Sequence, residues 1–329
     1  MRKIFITGAG GFIGRHLVAE LLKRDVVITA LMLPGESVPT EWGSKVRIIT
    51  GDVRELVELD DDIGAFDTIF HLAAIVSDWG GKREHVDITV NGTKQAIELA
   101  VKNSARFVVT TSVAAFGSAM GSGFLDESTP CGKPASNYEY VKQIQEQVTL
   151  EAVTQRGLNA VIIRPANVYG VGSVWVTRFI DLMNQKKPVL MGDGKWDAGL
   201  VHVQHVVQGL ILAAEKADIG SGEIFIIADE PGVTWQNYLA ALSEALELPE
   251  AKGIPNWLAR ILAPVLEWIG HLVNQKNAPL VTNLAYRLVG VESIFVNKKA
   301  KQKLGYKPNI TLDKAMEEIK QYYSSKNCN

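Results

Sequence analysis

The chain has 329 residues, with 34 Lys plus Arg against 36 Asp plus Glu, a net charge of −2, 47% hydrophobic residues and two cysteines. These totals exclude a disordered chain and a disulfide-stapled scaffold, and the charge balance argues against a general nucleic-acid binder, which carries a basic excess or a basic face. One main folded body with an appendage is expected, since single cores stop growing at about 250 to 300 residues.

The opening Met1-Arg2-Lys3-Ile4-Phe5-Ile6-Thr7-Gly8 reaches a glycine turn too soon for a signal-peptide core, which points to a cytoplasmic protein. Short apolar runs then alternate with amphipathic stretches. Strands are predicted at Lys3 to Thr7, Val26 to Met32, Val46 to Thr50, Thr68 to Leu72, Phe107 to Thr111 and Ala160 to Arg164. Helices are predicted between them, over Phe12 to Lys23, Glu84 to Val101 and Tyr138 to Thr154. Strands such as Thr68-Ile69-Phe70-His71-Leu72 are apolar on both faces, as strands covered by helices on each side must be. The expected fold is α/β, a Rossmann-type doubly wound parallel sheet with a smaller, mostly helical C-terminal substrate region. Residues 1–165 form the nucleotide domain, completed by parts of 200–228, and residues 166–329 an interleaved substrate region.

Past Arg164 the predicted helices are Val203 to Glu215, Gln236 to Leu246, Trp257 to Val273 and Thr311 to Tyr323, and Ile224 to Ile227 reads as a late strand that rejoins the sheet. Trp257 to Val273 is strongly apolar, yet it holds Arg260, Glu267 and His271, is interrupted by Pro264 and is too short to span a bilayer. A lid over a greasy pocket, a buried or dimer-contact helix and a surface membrane attachment all remain open for it. Cys131 and Cys328 show no partner or metal-ligand spacing and read as free thiols, with no metal site.

Thr7-Gly8-Ala9-Gly10-Gly11-Phe12-Ile13-Gly14 follows the first strand and opens the first helix. Glycines at 8, 11 and 14 permit a tight turn, close approach of backbone to a pyrophosphate and close helix-on-sheet packing, while the helix N-terminus offers free N–H donors. An acid at the end of the second strand would hold an adenosine ribose, but Ala30-Leu31-Met32-Leu33-Pro34 supplies neither an acid nor an arginine for a 2′-phosphate. The cofactor is therefore NAD or NADP. Asp52, in Gly51-Asp52-Val53-Arg54, could accept from an adenine amino group or simply cap the next helix.

Tyr138 and Lys142 lie four apart and share one helical face. A neighbouring ammonium favours the phenolate, so Lys142 is expected to lower the Tyr138 pKa and make it an acid or base. Ser112 sits at the carboxyl edge of the fifth strand, where ligands bind in open parallel sheets, placed to hold the substrate oxygen or to turn the chain.

Together these residues resemble the extended short-chain dehydrogenase/reductases. The resemblance covers nearly the whole chain: the glycine motif at 8 to 14, Gly51 to Arg54, His71-Leu72-Ala73-Ala74, Thr110-Thr111-Ser112, Tyr138 with Lys142, and Arg164-Pro165-Ala166-Asn167-Val168-Tyr169-Gly170. It implies that Ser112 orients the substrate oxygen, Tyr138 transfers the proton and Lys142 holds the nicotinamide ribose. Cofactor contacts are implied for Gly8, Gly11, Phe12, Ile13, Gly14, Asp52, Val53, Leu72, Ala73, Ala74, Pro165 and Val168, and substrate contacts for Trp79, Ser112 and Asn167. The chain departs from the family pattern at Thr89, where an asparagine usually stands.

Two branches compete. Sugar-nucleotide enzymes often carry a diphosphate-gripping arginine four residues after Gly192-Asp193-Gly194, but that position is Ala198, and Lys195 lacks the bidentate fork. Asn167-Val168-Tyr169-Gly170 resembles those enzymes nonetheless. Trp79, Arg164-Pro165 and the apolar helix resemble the 3β-hydroxysteroid dehydrogenase and dihydroflavonol reductase relatives, which act on hydrophobic ketones or alcohols. The main expectation is an NAD(P)-dependent oxidoreductase of a small hydrophobic substrate. A nucleotide-sugar epimerase/dehydratase is the alternative, and a non-catalytic NAD(P)-sensing protein the second. The resemblance also implies a homodimer through the helices Glu84 to Val101 and Tyr138 to Thr154.

Overall fold

The computed structural model describes residues 1–326, so Cys328 lies outside the described residues. Seven parallel strands make one sheet in the spatial order Glu223–Ile227, Ala160–Pro165, Arg106–Thr110, Thr68–His71, Lys3–Thr7, Val27–Met32 and Val46–Thr50. Successive side chains alternate between two buried faces. Ile4, Ile6, Phe70, Val108, Val161 and Ile163 pack with Leu17, Leu21, Val206 and Leu210 on one face. Phe5, Ile69, Phe107, Val109 and Ile162 pack with Ala96, Ile97, Ala100 and Ala152 on the other. The late strand expected at Ile224 to Ile227 closes the sheet beside Ala160–Pro165.

From Lys3–Thr7 the chain winds outward through two strands and then returns to place Thr68–His71 on the other side of the first strand. The carboxyl ends of these two neighbours therefore splay their following loops apart, which opens the crevice where doubly wound sheets bind ligands.

The helix predicted over Glu84 to Val101 runs as Lys82–His85, a widened π-type turn at Val86–Asn91 and Gly92–Lys102. Such wide turns break the regular i to i−4 ladder and concentrate at functional sites. The helix Asn137–Arg156 begins in a capping box between Ser136 and Glu139 and ends at Gly157, φ +66°, the geometry that fixes both ends of a helix.

A second core lies in the C-terminal half, where Phe179, Trp235 and Tyr238 cluster with Leu239, Leu242 and Met183. Short helices not anticipated from the sequence, Val174–Asn184 and Asn283–Val289, help to build it. Pro264 does not interrupt the apolar segment, which is one helix over Asn256–Leu272. No helix among the described residues is long and apolar enough to cross a membrane.

Candidate active site

Gly8 turns the chain at φ +70°, and a Cβ there would lie 2.7 Å from the backbone nitrogen of Ala73. A Cβ at Gly14 would lie 2.2 Å from the Gly8 carbonyl oxygen. Neither neighbour can yield, because both are backbone, so the sheet ends and the first helix meet only without side chains. Gly11 caps the helix Phe12–Leu21 with no side-chain acceptor, leaving its first N–H groups to face an anion.

One cavity of about 790 Å³ runs from this turn into the C-terminal half. Gly8, Gly11, Phe12, Ile13 and Gly14 line it with Asp52, Val53, Leu72, Ala73 and Ala74, and Ser112, Tyr138, Lys142, Pro165, Asn167 and Val168 continue its wall. Of the two roles expected of Asp52 the structure shows the cap: its carboxylate accepts from Arg54 N at 2.9 Å at the start of the short turn Val53–Glu55, and the residue also borders the cavity. Ser112 likewise accepts from Ala114 N at 3.1 Å while facing the cavity. Asn167 lines the wall, but its Nδ2 donates to Ala198 O at 2.8 Å. Trp79 is not among the lining residues; its ring stacks on His271 with centroids 4.2 Å apart, and its Nε1 donates to Gln275 O at 2.9 Å.

Sequence reasoning overlooked Glu36. The tight turn through Pro34 and Gly35 brings its carboxylate back to accept from Leu33 N at 2.9 Å, beside Gly10 and on the cavity wall. The Pro-Gly pair after the second strand was the available signal: it reverses the chain and returns an acid a few residues later to the cavity wall beside Gly10.

Lys142 is buried and points into a chain of polar groups with no room for ambiguity. Its Nζ donates to Gln145 Oε1 at 2.9 Å and to Thr110 O at 3.2 Å. Thr93 Oγ1 accepts from Gln145 Nε2 at 2.9 Å and spends its only proton on Thr89 O at 2.6 Å. His71 Nε2, 2.9 Å from Thr93 Oγ1, must then be the donor, so Nδ1 accepts from the Thr7 hydroxyl at 2.8 Å. Thr7 Oγ1 in turn accepts from Ala73 N at 3.3 Å. The imidazole is thus held neutral, and burial together with the Lys142 charge takes its pKa down to about 3. Thr89 is part of the same frame: its hydroxyl accepts from Ile75 N at 3.2 Å across the widened turn.

Burial pushes the Lys142 ammonium down to about 7, against the pull of the Glu146 carboxylate. Burial also raises the Tyr138 phenol above its ordinary value, and a hydrogen bond from Ser112 offsets only part of this. The expected lowering of Tyr138 by Lys142 is corrected here: Nζ stands 5.8 Å from the ring centroid, and burial of the phenol, offset in part by Ser112 alone, sets the direction of the shift. Beneath Lys142, the buried Glu146 accepts from Arg164 Nε at 2.7 Å and from the Thr111 hydroxyl at 2.7 Å, tying the helix to two strands.

A profile of the NAD dependent epimerase/dehydratase family matches residues 4–228. The chain belongs to that family. It is an extended short-chain dehydrogenase/reductase, an oxidoreductase that works with a nicotinamide dinucleotide. Among its relatives is a farnesylated dihydroquinoline-oxide ketoreductase of Stigmatella aurantiaca, 29% identical over 97% of this chain and 96% of that one. A 3-beta-hydroxysteroid dehydrogenase of Mycolicibacterium neoaurum is 26% identical over 98% and 91%. The chain also shares its fold with the UDP-glucose 4-epimerase of Thermotoga maritima, with a TM-score of 0.76 and 21% identity over 99% of both chains.

The tautomer of His71 gives a pH prediction. With a folded pKa of about 3 against an ordinary value of about 6.5, the folded state binds fewer protons than the unfolded state between those values. Stability is therefore lost as pH falls through that window. Between pH 6.5 and 4 the loss from this group is about 3 kcal/mol. His71→Gln keeps one donor and one acceptor but cannot be protonated, so its melting temperature should fall less steeply over that range than the wild type's. Parallel curves for the two proteins would contradict the neutral assignment.

Proposed function

We propose that this family member reduces the ketone of an apolar substrate to a secondary alcohol, or runs the reverse oxidation, with Ser112, Tyr138 and Lys142 as the reacting set. The carrying observation is their convergence on one cavity whose further wall is apolar: Trp175, Phe179, Leu190, Met191, Val281 and Leu284 line it. Among the described lining residues the cations are Lys142 and Arg178. Ala198 is fully buried and outside the wall, so the position of the expected diphosphate grip offers no guanidinium. A UDP-sugar substrate is correspondingly disfavoured.

The glycine turn and free helix N-terminus fit the pyrophosphate of the cofactor, and Asp52 and Glu36 border the adenosine end. When bound, the nicotinamide supplies or accepts the hydride. Ser112 holds the carbonyl oxygen by its hydroxyl. Tyr138, its pKa raised by burial, is protonated at neutral pH and gives that proton to the oxygen as negative charge develops there. Lys142, oriented by Gln145, presents a cation near the phenol in its protonated form and then favours the phenolate left behind. In the oxidation direction the proton returns to Tyr138.

Residues 1–165, completed by parts of 200–228, would serve the cofactor, and the interleaved region 166–329 the substrate. A homodimer through Lys82–Lys102 and Asn137–Arg156 is supported by Ile144 and Val148, which stay only partly buried on the second of these helices.

Two experiments test this function. Tyr138→Phe should retain cofactor affinity while turnover of an apolar ketone, followed by NADH absorbance, drops by about 100-fold or more; full activity would remove Tyr138 from its role. The Glu36 carboxylate can accept from a ribose hydroxyl but repels a 2′-phosphate. NAD should therefore bind at least about tenfold tighter than NADP, and Glu36→Gln should narrow the gap. Equal affinities in calorimetry, or a gap unchanged by Glu36→Gln, would contradict that part.

A further inference from the structure

Along the helix Asn256–Leu272, Trp257, Ile261, Val265, Trp268 and Leu272 are between 45% and 66% exposed. Steps of four, four, three and four residues set them on one stripe. The two tryptophans are eleven residues apart, three turns or about 16 Å, at nearly the same angle around the axis. The opposite face is fixed to the body of the protein. Ala259, Ala263 and Gly270 are buried there, and Glu267 accepts from Asn283 N at 2.7 Å. Trp79 stacks on His271, with its ring edge against Gly270. The stripe cannot roll inward without breaking these contacts.

Within the helix and the segments directly flanking it, past the exposed Glu250, the exposed charges are of one sign. Between residues 251 and 280 the exposed charged side chains are Lys252, Arg260 and Lys276, and the single carboxylate of that stretch, Glu267, is buried. A chain of net charge −2 thus shows only cations along its apolar helix. The stripe also adjoins the mouth of the cavity. Ile254 just before the helix and Leu280, eight residues past its end, line the cavity, and Leu280 and Val174 on the wall are 37% and 56% exposed.

We infer that this face docks on the surface of a bilayer carrying anionic lipid, with the helix lying in the interface plane. Tryptophans at one depth, aliphatic side chains between them and a cationic flank are what the boundary between headgroups and acyl chains accepts. A second copy of the chain fits less well: a two-fold contact sets the same patch against itself, bringing Arg260 toward its own counterpart with no exposed acid on the helix to pair it. Docked in this way, the protein turns its apolar cavity mouth toward the acyl chains, and a lipophilic ligand passes between bilayer and cavity without crossing water. The docking rests on the exposed stripe and its charges, not on the redox reading, and its test needs no turnover.

The full chain is floated with phosphatidylcholine vesicles and with vesicles in which about a third of the lipid is phosphatidylglycerol. Binding to the anionic vesicles is expected, weaker binding to the neutral ones, and a decline with added salt. Trp257→Ser with Trp268→Ser should weaken binding by about tenfold or more, and Arg260→Glu should remove most of the preference for anionic lipid. The double variant should keep the wild-type melting temperature and its turnover of a short, water-soluble ketone. Failure of the wild type to float, or equal flotation of the double variant, would overturn the inference. So would a wild-type dimer that the double variant converts to monomer in light scattering while neither protein binds vesicles.

Discussion

A buried polar group must find its partner inside the protein, and that constraint organises the site. Thr7, His71, Thr93, Gln145 and Lys142 form one chain of hydrogen bonds with every proton assigned. Its members come from the first strand, the fourth strand, the helix after the widened turn and the helix bearing Tyr138. Any element that shifted would leave a donor or acceptor unpaired in a low-dielectric interior. The same chain that aims Lys142 therefore sets the spacing between the glycine turn and the helix bearing Tyr138.

The ion pair of Glu146 with Arg164 fixes the other side of that helix. Both are nearly inaccessible to water, and Arg164 stands one residue before the Pro165 to Val168 segment that walls the cavity. Breaking such a pair by removing one partner leaves a buried charge uncompensated. Glycine turn, helix and cavity wall are consequently held as one frame, with the C-terminal half attached to it.

The sheet and its first helices were legible because they rest on local periodicity: apolar runs buried on both faces can be read from Thr68 to His71 or from Ala160 to Pro165 alone. The glycine motif was legible because Gly8 and Gly14 face backbone that tolerates no Cβ. The remainder depends on contacts distant in sequence. Glu36 reaches the cavity only through a chain reversal, and Trp79 faces Gly270 and His271 of a helix distant in sequence rather than the cavity. The phenol of Tyr138 was misjudged from spacing because a pKa depends on burial as well as on a neighbouring charge, and burial is set by the whole fold. Pro264 failed to break its helix because tertiary packing of Ala259, Ala263 and Gly270 overrides local propensity.

The central claim is a hydride transfer at a carbonyl carbon held beside Tyr138. It is tested most directly with NADH deuterated at C4, each face labelled separately, and a panel of long-chain and cyclic ketones analysed by mass spectrometry. The alcohol product should carry one deuterium at the carbinol carbon, from one face of the cofactor only. Loss of no label to any ketone, together with interconversion of UDP-glucose and its C4 epimer, would contradict it and place the chain with the sugar-nucleotide enzymes.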